Sequence, residues 1–516
     1  MKLCFSLPSL ILPLQNHLYV LLHQYSLKPY KLCLGMVFIL SALLSGCAQF
    51  ESHHHLMSSV IAVRDTENAQ AAVTYFNDRI SPAKQKRLIY QLELGELLRD
   101  DQQYEASTQI WLQAEGQIQD WERNAQLNPE NLLSYLGAST ISERLAPYAG
   151  QDYEKVWLST RIALNHIALN DWEKARADIQ RTHEREQIIT NFRAAEIAQV
   201  REKAQQRGWD INTQTLDGYP VEYINSPEVL ELENSYQNAF SHYLAGFIYE
   251  AFNEPGLAAP GYRKAIELNP DTPVLEEGLE GMEARLRNSS QTSQTDVLFI
   301  IESGDAPARI SHEIRLALPV SDKLIYVQLA LPVIYPTQPA KTIKLQVGET
   351  LLEAQPIVDL NAMARRALHD EMPALLLRAS SRALTKSAMQ AYALQGNSRD
   401  TSNAEQIFKL FVLVGAVLPE YADERIWRTL PGNIAVARSY LEPGSYPLII
   451  DSINTGHSIE IDGRHAIVPI RITGNQFLVG PTATYGKLSK TAGLAPSANT
   501  QDNRQDNTQK TQGEEK

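Results

Sequence analysis

Side chains able to act as acid, base or anion ligand are plentiful in this chain, but few stand at spacings that chemistry recognises. Arg378, Arg382 and Lys386 recur every four residues, which on a helix places them on one face, with Arg365 and Arg366 just before them. Such a row suits a phosphate, a glycan carboxylate or a lipid headgroup. It equally describes the solvated face of an amphipathic helix whose other side carries Leu375, Leu376, Ala379 and Ala383, and this is the favoured reading. Trp427 beside Arg428 suits glycan stacking or a protein hot spot, although a tryptophan anchoring the start of a strand explains it more simply. His312-Glu313 and Asp451 with His457 offer acid and base groups, whose convergence only the fold can show. No Gly-x-Ser-x-Gly elbow, HExxH, Walker or Rossmann glycine pattern occurs, so neither enzymatic activity nor a cofactor is expected. His53, His54 and His55 offer imidazole donors, but adjacent histidines on a polar tether make a poor metal site and none is expected.

The remaining reactive group is a thiol. Lys28 and Lys31 give a positive flank, Leu32 to Leu43 a short apolar run, and Leu44-Ser45-Gly46-Cys47 a close of small residues before a cysteine. Charge, apolar run and small residues in that order make a secretory signal, too short to span a bilayer stably. The ending resembles a bacterial lipobox, which implies lipidation of Cys47 and cleavage between Gly46 and Cys47. Residues 1–46 are therefore read as signal peptide. Residues 1–26 look like an extension ahead of an ordinary signal, which points to translation starting near Leu27. Ala48 rather than Asp after the cysteine implies, by the same resemblance, the periplasmic face of the outer membrane.

Composition narrows what the body can be. The chain has 516 residues, 44% hydrophobic and 21% charged, which describes folded material in two or three units. Its net charge is −13, and removal of a leader with three lysines and no acid leaves −16. An acidic body argues against nucleic acid as a partner and against electrostatic adhesion to anionic lipid, so membrane attachment rests on acyl chains. All three cysteines, Cys4, Cys33 and Cys47, lie in or at the end of the leader, which excludes disulfides, thiol catalysis and thiolate metal sites from the processed protein.

After a lipidated tether at 47–64, residues 65–287 read as helical, with apolar residues at spacings of three and four. Gly246, Tyr249, Ala258, Tyr262, Ala265 and Pro270 match the tetratricopeptide spacing of small and large residues. Gly95, Tyr104 and Trp111 fit the same template, as do Ala163, Trp172 and Ala175, with Leu136-Gly137 as a degenerate copy between. A long helix is expected from Glu184 to Arg207. The expectation is an irregular tetratricopeptide-like α-helical solenoid of four to six helix pairs. If its groove binds a partner, Tyr90, Trp111, Trp172 and Tyr249 are the aromatics to bet on, although the template itself sets most of them between helices.

A polar linker, 288–295, marks the expected boundary. Period-two runs follow it, in VLFIIES, ISHEIRLALPV, LIYVQLALPVIYP and TIKLQVGETLLEAQPI, and later in NIAVARSYL, SYPLIID, HSIEID and HAIVPIRI. Between them lies a helical insertion at about 359–420, with Asp359 as cap of one helix and Pro373 at the start of another. Its apolar run from Phe408 to Leu418 is either a helix buried on the sheet, the favoured reading, or a surface for membrane or partner. The fold class is thus α+β multidomain: the solenoid, then a mostly antiparallel β domain at 296–485 with an α-helical insertion, then a disordered tail at 486–516.

Several stretches carry a resemblance when taken together: the lipobox, YEKVWLSTRIALNHIALNDWEKARADIQR, YLAGFIYEAFNEPGLAAPGYRKAIELNP, PIVDLNAMARRALHDEMPALLLRA and DERIWRTLPGNIAVARSYLEPGSY. The chain resembles a proteobacterial group of tetratricopeptide-containing lipoproteins often encoded beside lipoprotein activators of penicillin-binding proteins. That resemblance implies an envelope setting and no particular chemistry. Two readings stand. The favoured one is a non-catalytic, lipid-anchored scaffold for an envelope protein. The other is a C-terminal domain that binds, or acts on, cell-wall or surface glycan; convergence of Arg378, Arg382, Lys386 and Trp427 on one concave polar pocket would favour it.

Overall fold

The computed structural model describes residues 52–127, 146–207, 216–288, 293–320, 323–395 and 421–488. Helices come first: α1 (His53–Thr66), α2 (Ala69–Arg79), α3 (Pro82–Gln85), α4 (Leu88–Asp100), α5 (Tyr104–Leu127), α6 (Asp152–Ala168) and α7 (Trp172–Arg207), then α8 (Val221–Ile224), α9 (Pro227–Leu230), α10 (Ala239–Ala251), α11 (Pro255–Leu268), α12 (Pro273–Glu280) and α13 (Met282–Asn288). The segment expected as a tether to residue 64 is therefore helical from His53 onward, and its three histidines open α1.

Three pairs form helical hairpins, α4 with α5, α6 with α7 and α10 with α11, each joined by three residues. The same turn is built three times. Gln102, Asn170 and Asn253 take left-handed φ values of 57°, 58° and 60°. The amide of the next residue then donates back to the carbonyl of Leu98, His166 or Tyr249, at 2.8 Å in each case. The template's small residues sit where the paired helices touch: a Cβ on Gly246 would lie 2.7 Å from the Tyr262 ring, and one on Gly95 would run into Trp111. Ala163, Ala175, Ala258 and Ala265 are fully buried, as expected of close crossings. The third hairpin ends as the sequence reading has it, with α11 closing just ahead of Pro270. Three hairpins, rather than four to six pairs, are present among the described residues, and the copy at Leu136-Gly137 lies outside them. The helix expected from Glu184 is the second half of α7, which runs unbroken for 36 residues from Trp172.

The strands follow: β1 (Thr295–Ser303), β2 (Ile310–Val320), β3 (Lys323–Val333), β4 (Ile343–Val347) and β5 (Thr350–Asp359). Next comes α14 (Leu360–Gln395), then β6 (Asn433–Leu441), β7 (Gly444–Ile450), β8 (Ile453–Ile461), β9 (His465–Thr473), β10 (Gln476–Val479) and β11 (Ala483–Tyr485). Asp359 caps α14 as expected, accepting from the Ala362 amide at 3.1 Å. Pro373 does not begin a second helix; it lies inside α14, where Met372, Ala374, Leu375 and Leu376 are buried around it and packing offsets the lost hydrogen bond.

Nine strands form a curled mixed sheet in the order β10-β9-β1-β6-β5-β4-β7-β8, with β11 beside β10 on β9, while β2 and β3 make a separate ribbon. The pairing is antiparallel except between β1 and β9. β1 is buried on both faces, and its period of two decides what each face meets. Val297, Phe299 and Ile301 enter a core closed by the sheet itself, with Leu345, Leu448, Ile459 and Val468. Leu298 and Ile300 enter a larger core with Trp111, Trp157, Phe247 and Trp427. Helical and β halves therefore share one core. The described residues from Val60 onward form one compact unit, so the expected linker at 288–295 is no domain boundary: β1 begins within it.

Candidate functional site

The polar residues flanking that shared core explain why the halves hold together. Asp296 and Glu302 lie on the same face of β1 as Leu298 and Ile300, at either end of the apolar pair. Arg161 of α6 bridges Glu302 to Glu96 of α4, with all three side chains nearly free of solvent. Arg438 of β6 bridges Asp296 to Glu250 of α10 at 3.1 Å. Arg64 of α1 donates to Asp305 at 2.7 and 2.9 Å. Glu93 of α4 accepts from the Arg428 and Thr429 amides and from the Thr429 hydroxyl, at 2.7 to 3.0 Å.

One consequence is functional. The faces that the three hairpins would offer as an open groove are covered by the chain's own sheet. Trp111 is fully buried, edge-on to Trp427 at 5.8 Å between ring centres. Trp172 packs on Tyr485 of β11, and Phe252 packs on the same ring at 4.7 Å. Tyr249 is 5% exposed. Tyr90 is half-buried beside Phe76. The aromatics proposed for a groove are thus core or core margin: Trp427 covers Trp111, and the strand β11, short and unmarked in sequence, covers Trp172.

Of the candidate ligand contacts whose side chains the structure describes, Arg378, Arg382 and Trp427 do not converge. Trp427 is buried; its amide donates to Glu154 at 2.6 Å and its indole to Thr429 at 3.1 Å, so it anchors the approach to β6. Arg382 is buried on α14, while Arg378 pairs with Glu371 at 3.3 Å. The expectation of a solvated basic face is corrected here: α14 is packed on several sides. Arg365 reaches the Tyr223 carbonyl, Ser226 and Glu228, and Arg366 binds carbonyls of 229 to 233. Lys386 lies on α14. The acid–base candidates also stand apart: His312 meets the Gly218 carbonyl at 2.7 Å, Glu313 accepts from Gln328, Asp451 holds the Lys344 amide in the turn between β7 and β8, and His457 is exposed on β8. Gly46, Cys47 and the run from Phe408 to Leu418 lie outside the described residues. Among the described residues no group of three or more His, Cys, Asp or Glu is placed to hold a metal ion, and no helix is long and apolar enough to cross a membrane.

One concave site holds about 100 Å³ of water-reachable space, and Arg378 lines it. Its aromatic wall is Trp121 of α5 and Phe192 of α7, edge-on at 5.3 Å, with Tyr148 in the segment before α6. Its cations are Lys155, Arg193, Arg309, Arg378 and Arg425, against the acids Glu196, Glu371 and Asp423. Lys155 lies 3.5 Å over the Trp121 ring and 3.1 Å from Asp152. Burial opposes the charge of Asp152, but Arg193 and Lys155 more than offset this and hold its pKa down at about 2. Behind the cleft, burial pushes Glu154 up to about 7, although Tyr148, Trp427 and Gln151 all donate to it. Arg309 chelates one oxygen of Glu371 at 3.1 Å, and Arg425 grips both oxygens of Asp423 at 2.7 Å. The arrangement fixes charges in place around the Trp121 and Phe192 wall. Only the basic residues of α14 hinted at it in sequence, since its other walls come from α5, α6, α7 and the approach to β6.

No protein-family model and no curated protein sequence matches this chain. Among solved structures it is similar to a tetratricopeptide repeat protein from Parabacteroides merdae ATCC 43184, at 15% identity over 44% of this chain and 97% of that one, with a TM-score of 0.12. The repeat assignment rests instead on the three equivalent turns and the close crossings at Gly95 and Gly246.

Proposed function

We propose that this chain is a non-catalytic binding scaffold of the cell envelope, held by acyl chains on Cys47 at the periplasmic face of the outer membrane, and that its partner surface is the charged cleft rather than the groove of the repeats. The observation that carries the surface assignment is the covering of the hairpins by the sheet, which turns the search to the cleft of Trp121, Phe192 and Arg193, a concave polar surface among the described residues. Trp, Tyr and Arg gathered in one depression are the composition of a protein hot spot. The anchoring is supported by the order of Lys28, Lys31, the apolar run and Gly46-Cys47, and the envelope partner, including a peptidoglycan-synthesis factor, by the lipoprotein resemblance. A tether of this kind raises the effective concentration of the cleft for membrane-bound partners, and two or more acyl chains make the attachment stable.

The second reading, a site for cell-wall or surface glycan, is favoured by one observation, the presence of Arg378 in the cleft. Photo-crosslinkers at Gln151 and Phe192 in intact cells separate the two. Capture of an envelope protein is expected; absence of protein adducts together with glycan binding by the purified chain overturns the scaffold. Cys47→Ala should release the protein from membranes and abolish palmitate labelling, and retention without label overturns the placement.

A further inference from the structure

Two imidazoles face each other across the seam between α7 and α10. The rings of His183 and His242 stack there with centres 4.8 Å apart and planes within 8°. His242 and Glu186 are both buried, and the Glu186 carboxylate, on the next turn of α7 after His183, lies 3.2 Å from the His242 Nε2. His183 Nε2 has no hydrogen-bond partner among the described residues. The neighbouring groups are already engaged. Gln237, ahead of α10, donates to Glu186 at 3.1 Å, and the Tyr236 hydroxyl meets that of Thr190 at 2.8 Å. Asp152 and Lys155 of α6 pair with each other, Arg185 of α7 with Glu115 and Glu122 of α5, and Glu233 with Lys264 of α11. Among the described residues Glu186 is therefore the acid that faces the rings, and it balances one proton on the pair, not two.

Neutral imidazoles stack without penalty, whereas two imidazolium ions at this separation repel where burial limits screening. The packing that such repulsion must overcome is thin. Beside the pair, Val156, Ile189 and Tyr236 form a three-residue apolar cluster apart from the main core, and regions with few buried apolar contacts open first. Burial, and then the neighbouring ring, hold down the His183 pKa against Glu186. The closed seam thus binds fewer protons than the open one, so closure weakens as pH falls below the ordinary histidine value of about 6.5. We propose that the His183–His242 pair is a proton-operated latch: in mild acid a second proton drives the rings apart and opens the seam between α7 and α10 locally, while the rest of the fold stays closed. Phe192 and Arg193 of the cleft lie further along α7, so the latch sits on an element that forms a wall of the proposed binding surface.

The test is hydrogen exchange of the full chain at pH 7 and pH 5, read by mass spectrometry with labelling times scaled to the intrinsic exchange rate. A histidine that stays neutral in the closed seam and titrates normally in the open one raises the open population about twentyfold between these pH values. Protection of peptides covering 179–192 and 236–244 should accordingly fall by about five- to twentyfold, and that of β1 much less. His183→Gln removes the second proton and should abolish the extra loss at the seam. Glu186→Gln leaves even the first proton unbalanced and should enlarge it. Parent-like protection of β1 at pH 7 shows that a variant is folded; should His183→Gln fail that check, His242→Gln, which also leaves a single ring, takes its place. Equal seam protection of the parent at both pH values, the same loss in the single-ring variant, or a loss shared by β1 overturns the latch.

Discussion

Arg161 of α6 and Glu302 of β1 form an ion pair with 0% and 4% of their side chains exposed, and the same guanidinium holds Glu96 of α4, its Nε at 3.0 Å. Burial opposes the charge on all three, and their mutual attraction restores it for Arg161 and Glu302. The pair is the point at which the helical half is fastened to the centre of the sheet.

Arg161→Met should therefore cost about 3–5 kcal/mol, because it removes the guanidinium that bridges two buried carboxylates. The loss should appear as a lower midpoint of a single urea transition followed by tryptophan fluorescence. Two separated transitions, one for each half, would refute the shared core. Removing the partners together, in Arg161→Met with Glu96→Gln and Glu302→Gln, should recover part of the loss.

Gly246→Ala places a methyl group 2.7 Å from the Tyr262 ring, and Tyr262 is fully buried with its hydroxyl on Glu250 at 2.6 Å, so it cannot swing away. Overpacking of this kind costs about 1–3 kcal/mol. Gly256→Ala, where nothing lies within 4 Å, is the control and should leave the thermal midpoint near that of the parent.

The helical repeats were legible because close crossing demands a small residue opposite a large one, a pattern that survives in one dimension: Gly246 with Tyr262, Gly95 with Trp111. The strands were legible from their period of two, except β10 and β11, which are too short to show a period. What sequence could not show was docking of one half on the other. Glu302, Arg161 and Glu96 lie 65 or more residues from their partners, and α6 is buried on nearly every side while reading as an ordinary amphipathic helix. Arg378 and Arg382 misled for the same reason, since a basic stripe on a packed helix looks like one on a solvated helix. Trp121 and Phe192 come from different helices and became a site only when those helices met.

Asp152 gives the cleft a pH signature. Its folded pKa, about 2, lies below the ordinary carboxylate value of about 3.8, so the native state holds fewer protons than the unfolded chain in that interval. The stabilisation, roughly 2–3 kcal/mol, is fully present above pH 4 and is lost as pH falls toward 2. Stability difference between the parent and Asp152→Asn should accordingly shrink across pH 4 to 2 in denaturant titrations. A constant difference would contradict the pairing with Arg193 and Lys155.

His183 of α7 and His242 of α10 stack at 4.8 Å with their planes 8° apart, and His183 Nε2 has no hydrogen-bond partner among the described residues. Glu186 lies 3.2 Å from His242, and Gln237 donates to that same carboxylate. Burial, and after it the neighbouring imidazole, lowers the pKa of His183, while Glu186 acts the other way. A histidine whose folded pKa is depressed stays neutral in the native state while the unfolded chain takes up a proton, so stability falls as pH drops below about 6.5. Glu154 works in the opposite sense: held up at about 7, it costs stability as pH rises from 4.5 toward 7, so the whole-protein profile sums two opposed slopes. The histidine contribution is isolated by difference. His183→Gln should lose less thermal stability than the parent between pH 7 and 5, by calorimetry at matched ionic strength, and Glu154→Gln should make the parent's acid-side loss steeper. Parallel profiles for the parent and His183→Gln would show that folding does not depress the His183 pKa.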